Sequence, residues 1–124
     1  MEHPTSRVFI VQNPYKQTPA GPQPKFDFRT ARAFGATVVL LGPDVLPLDG
    51  DSTVHTLRIF MRDFGPQDFL LLAGHPLFNA WAAVIAAEKC DGTLNTLVWD
   101  SPRQKYVRSS VKIFDCESTT CKQS

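Results

Sequence analysis

A chain of 124 residues, 43% apolar and 20% charged, has the size of one domain and enough apolar side chain for a buried core, which excludes a disordered chain and a two-domain protein. Its net charge of +1 hides basic ends around an acidic middle: residues 1–35 carry five Lys or Arg against two acids, residues 36–100 three against eight, and residues 101–124 five against two. Nucleic-acid binding usually needs a larger basic excess, so it requires here that the two ends converge in space.

In chain order, Arg7–Gln12 is a β-branched and aromatic run that predicts a first strand, ended by Asn13-Pro14. Pro14–Phe28 holds four prolines and Gly21, and reads as a long loop without secondary structure. Arg29–Phe34, preceded by Asp27, fits one or two helical turns closed by Gly35. Ala36–Leu41 is continuously apolar, the pattern of a strand covered on both faces. A second Pro/Gly-rich loop leads to Asp51 or Ser52 as N-cap of a helix whose stripe is Val54, Leu57, Met61 and Phe64, with Gly65-Pro66 as its stop. Phe69–Ala73 predicts a third buried strand, and Gly74-His75-Pro76 a sharp turn with proline at the first helical position.

The helix from Leu77 to about Lys89 is apolar nearly all round, so it is expected to be buried on more than one side, with Trp81, Val84 and Ile85 inside. Asp91-Gly92 ends it. Thr93–Trp99 and Tyr106–Phe114 read as an antiparallel pair joined by six residues. In the last strand Val107, Ser109, Val111 and Ile113 alternate with Tyr106, Arg108, Ser110 and Lys112, as in a half-exposed edge. These elements predict an α/β fold: a small, open, mostly parallel five-stranded sheet, Rossmann-like or flavodoxin-like in outline, with an antiparallel C-terminal edge strand. Residues 1–114 form the single domain and residues 115–124 a polar tail.

Ligands of open α/β sheets collect at the carboxyl ends of the strands. The candidate crevice residues are Asn13, Tyr15, Lys16, Asp44, His75, Asp100 and Ser101, bordered by the Pro14–Phe28 loop, and the amides that open the Pro76 helix favour an anion there. His75 beside a helix N-terminus suits a neutral hydrogen-bond partner, a cap or a general base oriented by Asp44 or Asp100. Arg103, Lys105, Tyr106, Arg108 and Lys112 offer a basic, aromatic-containing surface for a nucleic acid or an acidic partner, or simply a charged edge that resists aggregation.

Several chemistries lack their signatures. There is no G-x-S-x-G, no G-x-G-x-x-G and no G-x-x-x-x-G-K-[ST], so no catalytic residue and no cofactor is assigned. Cys116-x4-Cys121 is not zinc spacing, and no metal is expected. An odd count of three cysteines, Cys90, Cys116 and Cys121, points to a reducing compartment. Met1–Arg7 has no signal-peptide organisation, and the longest apolar stretch, Leu77–Ala87, is broken by Asn79 and too short for a membrane span, so a cytoplasmic protein is expected.

The runs Val8–Pro14, Asp68–Pro76 and Gly92–Asp100, with Tyr106, resemble small proteins of unknown function encoded by tailed bacteriophages. That resemblance implies a compact accessory protein acting in the cytoplasm of an infected bacterium by binding a host protein or a signalling nucleotide. With catalytic motifs missing and the helix over-apolar for so small a domain, the expected function is a non-enzymatic interaction module that binds a host protein or itself as a homo-oligomer, through the Leu77–Ala87 helix or the edge hairpin. The alternatives are a nucleotide or nucleic-acid binder using the strand-end crevice and the basic hairpin, and a small hydrolase or transferase using His75.

Overall fold

A computed structural model describes residues 6–115. In chain order it contains β1 (Arg7–Gln12), β2 (Tyr15–Thr18), β3 (Gly21–Pro24), a 3-10 helix (Arg29–Phe34), β4 (Ala36–Leu41), α1 (Gly50–Phe60), β5 (Phe69–Leu71), α2 (Pro76–Lys89), β6 (Thr93–Asp100) and β7 (Lys105–Lys112). Five of the strands form one sheet in the order β4-β1-β5-β6-β7. Its first four strands in sequence run parallel, and β7 closes the edge antiparallel to β6. Counted within the sheet alone this is the 2-1-3-4-5 order of flavodoxin-like sheets, so the anticipated fold class is the observed one.

The sheet separates two apolar layers. Phe9, Val11, Leu40, Leu57, Met61, Leu70, Phe78, Ile85 and Ala86 pack between the sheet and the pair α1 and α2. Val8, Ile10, Ala31, Leu71, Ala73 and Leu97 pack on the other face, where the 3-10 helix is the cover, with Phe28, Phe34, Phe69 and Tyr106 around them. At the amino end Asp68 is 3% exposed and satisfied: its carboxylate accepts from the backbone N–H groups of Arg7 (3.0 Å) and Gly65 (2.9 Å) and from the Arg7 guanidinium (3.2 Å).

Local details correct several expectations. The Pro14–Phe28 segment is not structureless, because β2 and β3 pair as an antiparallel hairpin from Tyr15↔Pro24 to Thr18↔Gly21. Prolines occupy only β3 of that pair, where a two-stranded ribbon leaves one side of each strand free of hydrogen bonds and tolerates them. β4 is not covered on both faces; it is the outermost strand, and Val38 and Val39, which point to opposite faces, are both exposed because neither cover reaches fully across this edge.

α1 begins before Asp51: Asp49 is its N-cap, its carboxylate accepting the Ser52 N–H at 3.1 Å. The helix also ends before Gly65, at Phe60, and the following turn (Phe64 N–H to the Met61 carbonyl, 2.9 Å) still delivers Met61 and Phe64 to the core. β5 stops at Leu71 because the next inward amide, that of Ala73, donates to Asn79 Oδ1 (3.1 Å) instead of a neighbouring strand.

α2 buries Phe78, Ala82, Ile85, Ala86 and Ala87, and Trp81 packs partly against the core. It is not buried on more than one side: Val84 and Leu77 are about half exposed (54% and 46%), since the sheet lies beneath the helix and α1 on one flank, and nothing among the described residues covers its outer face. Gly92 at φ 91° ends the turn after α2 and approaches the Phe114 carbonyl too closely for any Cβ. The β6–β7 connection is four residues, Ser101–Gln104, shorter than the six anticipated, because both strands extend by one residue into it. Of the expected polar tail only Asp115 is among the described residues; Cys116 and Cys121 lie outside them.

Candidate functional site

The carboxyl ends of β1, β4, β5 and β6 share one edge, as parallel strands must. The switch point of a 2-1-3-4-5 sheet lies between its first and third strands, here β1 and β5, and is where such folds open a ligand crevice. In this chain the Gln12 side chain fills it. Gln12 is 3% exposed; its Nε2 donates to the carbonyls of Gly42 and Val45 (3.0 Å each) and its Oε1 accepts the His75 N–H at 3.2 Å. Gly74, at φ 92°, leaves only 2.5 Å between its ideal Cβ position and Gln12, so glycine there is required by close approach as well as by backbone angle.

The gap at the switch point is therefore filled, and of the candidate crevice residues only His75 touches the side chain that fills it. His75 is the N-cap of α2: its Nδ1 accepts the Leu77 N–H at 3.1 Å and its ring leans on Phe78 at 5.6 Å. The first donor of that helix is thus already engaged, and among the described residues His75 forms no hydrogen bond with Asp44 or Asp100. Asn13 ties the hairpin down, its side chain exchanging two hydrogen bonds with the Phe26 backbone (2.9 and 3.0 Å). Tyr15 and Lys16 are exposed on β2, and Asp44 is exposed after β4. Asp100 and Ser101 shape the β6–β7 turn, Asp100 accepting from Arg103 and the Ser101 carbonyl accepting from Gln104.

The open space lies on the sheet face carrying the 3-10 helix. A cavity of about 320 Å³ there is lined by Phe26, Asp27, Phe28, Leu71, Leu72, Ala73, Leu97, Trp99 and Tyr106. Two aromatic pairs line it: Trp99 and Tyr106, directly opposed across β6 and β7, meet edge to face at 4.9 Å, and Phe26 and Phe28 lie 5.8 Å apart. Asp27 supplies the carboxylate. Its oxygens accept from the Arg29 Nε and Nη2 (3.0 and 2.7 Å) and backbone N–H (3.0 Å), and this bidentate contact holds the carboxyl down at about 2. Burial, and then the Asp27 charge, push the Tyr106 phenol above its ordinary range, so it stays a neutral donor.

Of the basic hairpin residues, Tyr106 lines the cavity. Arg108 opposes Leu97 and stacks over Phe34 and Phe69 (5.8 and 5.5 Å). Arg103 is bound to Asp100, Lys105 begins β7 opposite Asp100, and Lys112 donates to the Asp91 carbonyl at 3.2 Å, at the far end of the strand. Sequence reading missed Phe26, Asp27, Phe28 and Trp99 as site residues. The signal was present: Trp99 and Tyr106 flank the hairpin turn symmetrically, and Phe-Asp-Phe ends the loop already placed beside the strand ends. Cys90, its thiol pushed up by burial, packs in the helical layer away from this site.

Fold and site together define a small flavodoxin-ordered α/β protein with a closed switch point and an aromatic cavity beside it. The chain belongs to the family of phage Pam3 gp32-like proteins, whose sequence model matches residues 6–113. The resemblance to phage-encoded proteins is thereby established over nearly the whole described chain. No curated protein and no solved structure matches it. Among the described residues no helix is long and apolar enough to cross a membrane.

Proposed function

We propose that this phage-family protein is an accessory binding module whose working site is the aromatic cavity on the open face of the sheet. One observation carries the reading: a cavity of about 320 Å³ with aromatic side chains on two sides and a few polar groups. Those are the size and lining of small-ligand sites, which start at about 300 Å³. Binding is favoured over turnover because His75, the residue best suited to act as a base, serves as a helix cap, and Asn13, Asp100 and Ser101 hold local turns together.

The test is a thermal-shift screen of small aromatic compounds on the wild type and on Ala73→Leu, which fills the cavity from its floor. Stabilisation of the wild type alone supports the reading; equal shifts in both, or none in either, contradict it.

A second reading, assembly with a host protein or with a second copy, is favoured by the outer face of α2, where Leu77 and Val84 stand about half exposed. Sedimentation of the wild type beside Val84→Glu tests the homo-oligomer: a dimer lost in the variant supports it, and a monomeric wild type removes it.

A further inference from the structure

The cavity carries a charge pattern that narrows its ligand. Lys25 sits over the Phe26 ring with its Nζ 5.4 Å from the centroid, and Arg108 stands opposite Leu97, so each adjoins a lining residue. Arg29 binds Asp27, and Arg32, one turn along the 3-10 helix, lies near enough to lower the same carboxyl. Arg29 and Arg32 thus stand near the carboxylate, while Lys25 and Arg108 stand beside other lining residues, Phe26 and Leu97. With Arg29 matched to Asp27, three positive charges are left over beside an aromatic cavity.

A lone cation finds a repulsive field there, an uncharged ring leaves Lys25, Arg32 and Arg108 without an anion, and a free phosphate leaves the aromatic walls unused. The pattern calls for a flat ring that carries hydrogen-bond donors on its edge and an anion outside the cavity. We propose that the cavity receives the base of a nucleotide, stacked on Trp99 and Tyr106 with Phe26 and Phe28 across from them, its ring N–H or amino group donating to Asp27 and its phosphate held by Lys25 and Arg108. This deepens the binding reading above and rests on it.

Base stacking on aromatic side chains is tolerant of base identity, and every natural base carries an edge N–H or amino group that the carboxylate can accept. An acidic peptide inserting a phenylalanine fits less well, since its ring offers Asp27 no donor. The nucleotide has two sources, a free mononucleotide or a single-stranded nucleic acid.

Calorimetric titration of the full chain with AMP, GMP, UMP, a short single-stranded oligonucleotide, adenosine, inorganic phosphate and an acidic phenylalanine-containing peptide separates these cases. The expected result is binding of nucleotide that weakens with salt, with adenosine weaker and phosphate alone undetectable. Trp99→Ala should weaken binding about tenfold or more, as the loss of one stacked base does. Lys25→Glu, exposed and outside the core, should weaken nucleotide but not adenosine. Tighter binding of the oligonucleotide than of any mononucleotide identifies a single strand as the source, and the reverse identifies the free nucleotide.

The proposal is overturned when no nucleotide or oligonucleotide binds, when only the peptide binds, when binding ignores both Trp99→Ala and Lys25→Glu, or when nucleotides bind Ala73→Leu unchanged. If nucleotides fail while uncharged aromatic compounds still stabilise the wild type and not Ala73→Leu, the cavity remains the site and only its ligand was wrong. If nucleotides bind Ala73→Leu as well as the wild type, the cavity itself is wrong. Melting curves of each variant separate lost binding from lost fold.

Discussion

The two faces of the sheet received unequal cover from the chain. On one face α1 and α2 lie side by side, joined by Arg58 and Glu88 at 3.0 Å, and leave Phe9, Leu57, Met61, Leu70 and Phe78 essentially without exposure. On the other face the crossover from β1 to β4 contains a hairpin and six residues of 3-10 helix, and no helix follows β7 within the described residues. That face is sealed over β1 and left open over β5 to β7, where Trp99 remains 42% exposed. The cavity is a consequence of connection length: where the crossover is a full helix the apolar face closes, and where it is a hairpin and six residues of 3-10 helix an apolar, aromatic recess remains.

The largest expected effect lies on the closed face. Ala87→Arg places a charge on a side chain that is 2% exposed, and should cost about 4 kcal/mol or more, enough to unfold a small domain, whereas Val84→Arg on the outer side of the same helix should change stability by less than about 0.5 kcal/mol. Equal losses would mean that the outer face of α2 is covered after all. Next, Phe78→Ala should cost about 3–5 kcal/mol in denaturant unfolding and Trp99→Ala only about 1, since the first empties a packed layer and the second trims an open recess. A Trp99→Ala loss as large as that of Phe78→Ala would show that the open face is core.

Smaller still, His75→Ala should cost about 0.5–1 kcal/mol through loss of the cap to Leu77, read from a thermal or denaturant melt. The faintest effect is local and set by pH. The folded-state carboxyl of Asp27 is depressed from 3.8 to about 2, so its contact with Arg29 contributes above pH 3.8 and is lost as pH falls through about 2. Amide and Arg29 side-chain resonances should report that change without global unfolding; a transition centred near pH 4 would contradict the pairing.

Most of the fold was legible because burial patterns are local. β1, β4 and β6 and the stripe Val54, Leu57, Met61, Phe64 are written in apolar spacing, and Pro76 marks the start of α2. The errors fall where non-local contacts decide. The apolar run of β4 does not reveal that the strand is outermost, and the all-apolar α2 does not reveal which side the sheet takes. The hairpin inside the proline-rich segment depends on Asn13 holding the Phe26 backbone from thirteen residues away. The site was half legible: strand ends were named, but Gln12 closing the switch point and Phe26, Asp27 and Trp99 meeting across the recess require the sheet order.

Binding in the aromatic recess of the open face can be measured directly, because the chain has only two tryptophans. Trp81→Phe removes the tryptophan beside α1 and leaves Trp99, in the recess wall, as the sole indole. Titrating that variant with nucleotide while recording its emission should give saturable quenching whose midpoint matches the calorimetric affinity and which Ala73→Leu abolishes. Emission unchanged at saturating nucleotide, with binding still detected calorimetrically, would place the ligand elsewhere on the molecule and contradict the account.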